Sequence, residues 1–206
     1  MDGSSRVLRL PLEVRRHIYS YLLPATVEHG SKGIVWRRGN VAILFVNKQI
    51  YQEAISMLYG NSTFIIDVEW DSISFKYQWL LPSGLVPSRT MKFPDDIAAR
   101  NVPFIKRLHI RVHHVDSYTG MVKYNYGGHG LTDGLRNRVE DLCQVLKGVA
   151  ELAKLEIQLL DGNKNAELGQ TVLEPFSQLS NIHRATVSGP MTVAYARHLE
   201  VCMTRV

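Results

Sequence analysis

The chain has 206 residues, 45% of them hydrophobic and 21% charged, enough for one sizeable core or a small module joined to a larger one. No run approaches the roughly 18 apolar residues of a membrane helix, and the opening MDGSSRVLRL carries neither a signal-peptide pattern nor the glycine directly after the initiator methionine that myristoylation needs. A net charge of +5 and a pI near 9.2 leave nucleic acid or an acidic protein surface as partners, although no basic run reaches the five or six like charges of a basic arm.

A first amphipathic helix opens at Leu10-Pro11, where the fixed φ of proline suits the first helical position and its missing N–H costs nothing. Val14, Ile18, Tyr21 and Leu22 recur at helical spacing as an apolar stripe, with Glu13, Arg15, Arg16 and His17 elsewhere on the helix. Pro24 stops it. A turn-rich stretch over 25–40 follows, with Ile34-Val35-Trp36 as a short strand or apolar plug and Arg37-Arg38-Gly39-Asn40 as the turn behind it. Asn40 stands where an N-cap belongs for a helix from about Val41 towards Leu58. Val46, Ile50, Ala54 and Met57-Leu58 form its stripe, and Gly60-Asn61 suits a left-handed C-cap. Phe64, Ile66 and Val68 alternate as a strand. Asp71 or Ser72 is then expected to cap another short helix carrying Ile73, Tyr77, Leu80 and Leu81, ended by Pro82. The aromatic run Trp70, Phe75, Tyr77, Trp79 reads as packing between the N-terminal helices and the half that follows. Four prolines within 82–103 mark a long surface loop or boundary, with one helical turn near 95–100.

The second half carries a weak internal repeat. Ile105, Leu108, Ile110 and Val112 have the same spacing as Leu152, Leu155, Ile157 and Leu159, a chain entering a strand and then alternating. A third copy placed at Leu179 and Ile182 slips, with Ala185 and Val187 taking over. Between the copies lie a helix over 135–150 with Thr132 or Asp133 as its N-cap, and a shorter helical segment over 167–179 restricted by Pro175. Strand, helix, strand, helix, strand at these spacings implies parallel strands joined by right-handed crossovers. The periods differ, so the array is no regular solenoid. Residues 191–206 read as a closing helix with Tyr195, Leu199 and Met203 or Cys202 on one stripe.

The two N-terminal segments, LRLPLEVRRHIYSYLLP and LFVNKQIYQEAISMLYGNSTF, resemble the F-box, and more closely an F-box-like family abundant in filamentous fungi. The matches are Leu10, Pro11, Glu13, Val14, Arg15, Ile18, Tyr19, Tyr21, Leu22 and Leu23, then Val46, Asn47, Gln49, Ile50, Tyr51, Glu53, Ala54, Leu58, Tyr59, Asn61, Thr63 and Phe64. The resemblance implies a non-enzymatic protein–protein interaction module that docks the Skp-family adaptor of a cullin ubiquitin ligase and holds an unknown substrate protein. Leu10, Pro11, Glu13, Val14, Ile18 and Leu22 would form the docking surface. The residues between the two helices are more numerous than in ordinary F-boxes and could cover that surface, so whether the stripe is exposed decides the matter. The second half resembles a degenerate leucine-rich-repeat-like layer, as found behind the F-box in many adaptor proteins.

The expected fold is therefore mixed α/β. An F-box-like helical module over 6–68 packs with a small, mostly parallel sheet, through a helix and Pro-rich connection over 69–103 and an irregular α/β repeat-like half over 104–206. The alternative is a basic nucleic-acid-associated or scaffold protein, with Arg37, Arg38 and Arg111 as basic contacts. No catalytic residue, cofactor or metal is expected. His109, His113, His114 and Asp116 form the densest ligand cluster, but His114 faces away from the other two on a strand, and polar rings at a strand end are the preferred reading. The glycine-rich segment 124–130 fits no phosphate-binding spacing and reads as a surface loop. An enzyme reading would require a convergent pocket with His113 or His129 bonded to a carboxylate. Cys143 and Cys202 sit far apart in helix-like surroundings, which points to free thiols and an intracellular protein, cytoplasmic or nuclear.

Overall fold

The computed structural model describes residues 6–28, 30, 33–80, 88–92, 99–114, 130–149, 151–161 and 166–205. Its regular elements are α1 (Leu12–Leu22), β1 (Ala25–Glu28), β2 (Ile34–Arg37), α2 (Lys48–Asn61), β3 (Thr63–Val68), β4 (Ile73–Leu80), β5 (Ser88–Lys92), β6 (Arg107–His114), α3 (Gly130–Leu146), β7 (Lys154–Asp161), α4 (Ala166–Leu173), β8 (Ala185–Ser188) and α5 (Val193–Thr204). The fold is mixed α/β, as the patterning predicts. The chain divides into two compact units, Met1–Thr63 with Tyr77–Arg89 and Phe64–Lys76 with Thr90–Val206. The division thus falls after Thr63, and the strand that follows α2 belongs to the second unit.

In unit 1 the turn-rich stretch is a hairpin. β1 pairs antiparallel with β2, Ala25 opposite Arg37 and Glu28 opposite Ile34, and β2 pairs parallel with the end of β4, Trp36 opposite Trp79. Asn40 caps as expected, accepting from Ala42 N–H at 2.8 Å, but what it caps is a 3₁₀ turn, Val41–Phe45. α2 starts afresh at a second cap, Asn47, whose side chain accepts from Ile50 N–H. Gly60 and Asn61 stay inside α2, and its C-cap is Ser62 in extended conformation rather than a left-handed residue. The core of this unit is Tyr19, Leu23, Ile50 and Ala54, with Leu8, Ile43, Leu44, Met57 and Leu58 packed against them.

In unit 2 the helix expected after Ser72 is a strand. Ile73, Phe75, Tyr77 and Trp79 repeat every second residue, and that period wins over the apolar count. A turn with reciprocal Glu69–Ser72 backbone hydrogen bonds folds β4 back on β3, pairing Val68 with Ile73 and Ile65 with Lys76. Phe64 and Phe75 stack with ring centroids 5.4 Å apart. The strand order is β4-β3-β6-β7-β8, with β6, β7 and β8 parallel.

The internal repeat is the register of this sheet. Leu108, Ile110 and Val112 lie opposite Leu155, Ile157 and Leu159, and the entry residue Leu152 bridges to Ile182. Ala185 and Val187 oppose Leu155 and Ile157, so the third copy begins at Ile182, not at Leu179, and the apparent slip disappears. Its last position is Gly189, with φ of 134°, where a Cβ would run into the Leu159 backbone.

α3 starts at Gly130, a turn earlier than expected, so Thr132 and Asp133 lie within its first turn instead of capping it. Its buried face is Leu131, Leu135, Val139, Leu142, Cys143 and Leu146. α4 ends at a 3₁₀ turn, Glu174–Gln178, with Pro175 at its start. α5 is capped by Thr192 and buries Leu199 and Met203.

Candidate functional site

The residues singled out near the N-terminus separate into two sets. Pro11 is the N-cap of α1 and not its first helical residue (φ −54°, ψ 150°), and its carbonyl accepts from Arg15 N–H at 3.1 Å. The side that α1 buries carries Arg15, Tyr19 and, just past the helix, Leu23. Arg15 reads from the sequence as part of a polar face, yet it is only 8% exposed. Its guanidinium makes a two-pronged pair with Glu53 of α2, Nε at 2.9 Å and Nη2 at 2.7 Å, and also donates to the carbonyls of Leu8 and Leu10. Tyr19 Oη donates to Glu53 at 3.0 Å, and Gln49 Nε2 donates to it from the same helix. The Arg15 hydrogen bond, aided by Gln49 and Tyr19, holds the Glu53 carboxyl at about 2 against the opposing effect of burial. The Glu53 bond in turn raises Arg15, and burial raises Tyr19.

With that network turned inward, the apolar stripe turns outward. Val14 is 44% exposed, Tyr21 71% and Leu22 39%; Leu10 is at the edge of exposure and Ile18 is half-buried. Glu13 and Pro11 are exposed on the same helix end. His17 packs edge-on against Tyr21, centroids 5.0 Å apart, on the surface. Among the described residues the intervening hairpin does not cover the stripe. Its base is fastened to the end of α1 by Asn40 N–H to Leu22 O at 2.7 Å and by Arg37 to Ser20 O at 2.9 Å. An added Cβ at Gly39 would collide with the backbone of Leu22, Leu23 and Pro24, so this close approach requires glycine.

The same fastening sets the 3₁₀ turn beside Leu22. Ile43 and Leu44 pack inward on the core, while Val41, Phe45 and Val46 point out, Phe45 being 83% exposed and Val46 61%. Sequence reading places Val46 on the buried stripe of one long helix and passes over Phe45. The break between the turn and α2 rotates both outward, and Asn47, a second capping residue, was the available signal. Exposed aromatic residues in apolar surroundings are the side chains that most often anchor protein interfaces.

Arg37 and Arg38 are both exposed. Arg111 is not grouped with them. It lies in unit 2, on β6, where Nε and Nη2 donate to Asp67 of β3 at 2.6 and 2.7 Å. His113 Nε2 is 3.1 Å from the same carboxylate, so the imidazole–carboxylate bond that an enzyme reading asks for is present. His114 faces the other side of the sheet and bonds Thr132 Oγ1 at 3.1 Å. Burial lowers His109. Asp116, His129 and most of the glycine-rich segment lie outside the described residues. Among the described residues no group of three or more His, Cys, Asp and Glu side chains is placed to hold a metal. Cys143 and Cys202 are free, and burial pushes the Cys143 thiol up to about 12.

Residues 27–206 match the model of a family described as a domain of unknown function, DUF7730. The chain belongs to the DUF7730 family. No curated protein and no solved structure matches it. The DUF7730 match begins inside β1 and leaves α1, with Arg15 and Tyr19, outside it.

Proposed function

We propose that this DUF7730 protein is a non-enzymatic, F-box-like protein–protein interaction module whose docking face is the outward side of α1 together with the 3₁₀ turn beside it. The Skp-family adaptor of a cullin ubiquitin ligase is the proposed partner, with a substrate protein held elsewhere on the chain. The observation that carries the reading is the exposure of Val14, Tyr21, Leu22, Phe45 and Val46 on two neighbouring segments. Their neighbours Arg15, Tyr19 and Glu53, shared with the F-box-like signature, do the internal fastening. A helix that spends its charged residue on the core and leaves its aliphatic ones in water is arranged for a partner. An intracellular location goes with this reading; no helix among the described residues is long and apolar enough to cross a membrane.

The test is direct binding to a recombinant Skp-family adaptor. The wild-type chain is expected to bind, and Val14→Glu with Phe45→Ser to weaken binding more than tenfold with the circular dichroism spectrum unchanged, as loss of central interface anchors does. No binding by the wild type, or equal binding by the folded variant, defeats the reading. A second reading, nucleic-acid association, is favoured by the distribution of charge. Unit 1 carries nine Lys and Arg against four Asp and Glu, whereas unit 2 has fifteen of each, so the whole +5 lies in unit 1. It requires mobility shifts that fade steeply with salt and are lost on replacing Arg37 and Arg38.

A further inference from the structure

Unit 2 holds a cluster of charges that the docking face does not use. Strand alternation puts Ile66 and Val68 on one side of β3 and Asp67 on the other, where Arg111 and His113 of β6 and Lys76 of β4 meet it. Asp67 is 4% exposed and takes both prongs of Arg111; His113 reaches it at 3.1 Å, and Lys76 Nζ stands 4.0 Å away. One carboxylate therefore faces two permanent cations and an imidazole. On the same side, β7 sets Glu156 opposite His109 and Gln158 opposite Arg111, and Glu156 is already paired with Lys154 at 2.7 Å. The cluster keeps a net positive charge among the described residues, on side chains that water reaches: 23% of Arg111, 27% of His113 and 33% of Lys76.

We propose that this sheet face binds a phosphate-like oxyanion between Lys76, Arg111 and His113. Asp67 would be the positioning residue. Its bidentate grip fixes the plane of the guanidinium, and its bond to one ring nitrogen orients the imidazole. A rigid guanidinium, a flexible ammonium and an imidazole suit a ligand with several acceptor oxygens better than a single carboxylate. His113 is the next-to-last residue of parallel strand β6, and the carboxyl ends of such strands are where open α/β sheets receive ligands. The proposal stands apart from the docking reading and survives its failure.

Inorganic phosphate is the probe, titrated into the full chain at constant ionic strength with chloride as the exchanged ion. The His113 ring resonances are expected to move saturably as phosphate binds, while those of His183, paired with Glu151 at 2.6 Å, do not respond. Lys76→Gln, which leaves the Asp67–Arg111 pair intact, is expected to weaken phosphate about 2- to 5-fold, the effect of losing one partly exposed ion contact. If His113 responds to phosphate no more than to chloride, or if Lys76→Gln leaves the affinity unchanged, the cluster is an internal ion network only.

Discussion

Two carboxylates, Glu53 in unit 1 and Asp67 in unit 2, are each gripped by an arginine and a second donor. Burial pushes Asp67 up, but the hydrogen bonds from His113 and Arg111 outweigh it and hold the group at about 2; Glu53 is also held at about 2, chiefly by Arg15. Folded values below the ordinary 3.8 and 4.5 mean that the unfolded chain binds these protons more readily. The stabilisation is therefore complete above about pH 5 and is lost as pH falls towards 2. Denaturant midpoints should drop between those limits, and Asp67→Asn should lower stability at pH 7 by about 2 kcal/mol while flattening the acid limb. Equal slopes in wild type and variant would remove Asp67 from the account. Neither pairing was legible in the sequence. Arg15 and Glu53 are 38 positions apart and Arg111 and Asp67 44, and helix or strand periodicity fixes which side chains share a face, not which element lies opposite.

Elements were legible where one period dominated. β6 and β7 announce themselves by matching apolar spacing, which became their register. β4 misled because Ile73, Tyr77 and Leu80 also fit helical spacing; only its pairing with β3 decides between the two periods. The edge of the unit 2 sheet was invisible for a different reason, since its cover is a helix from the end of the chain. α5 runs along β8 and satisfies donors that an open edge would leave to another chain. Val187 N–H donates to Glu200 Oε1 at 2.9 Å, Ile182 N–H to Met203 O at 3.1 Å and Asn181 N–H to Arg205 O at 2.9 Å. Asn181 adopts φ of 60° on entering this arrangement, a conformation asparagine tolerates better than most residues. Covering an edge in this way suppresses strand addition and aggregation. Glu200→Ala should cost about 1.5 to 3 kcal/mol, the value of one hydrogen bond to a charged group. It should also speed hydrogen exchange at Val187 without disturbing Ile157, whose neighbours are on the interior side. Unchanged exchange at Val187 would mean that Glu200 does not guard the edge.

At the scale of the molecule, the boundaries suggested by composition, by compactness and by family all differ. The sequence placed the first module over 6–68; the compact units divide after Thr63 and again within β4, between Lys76 and Tyr77, and the DUF7730 match starts at residue 27. The last of these has a physical consequence. Two of the four buried residues at the centre of unit 1, Tyr19 and Leu23, precede the match, as does the Arg15 partner of Glu53. A chain cut to 27–206 loses side chains worth roughly 2 to 5 kcal/mol each when truncated from a core, and leaves Glu53 without its cation. α2, with 14 residues, is too short to persist in water on its own propensity. The cut chain should therefore lose helical signal beyond the 11 residues of α1 itself, and the amides of Ile50 and Ala54 should exchange at unprotected rates. Retained protection at those two positions would show that unit 1 does not depend on α1, and that the exposed stripe of α1 belongs to a dispensable helix rather than to the face of a folded module.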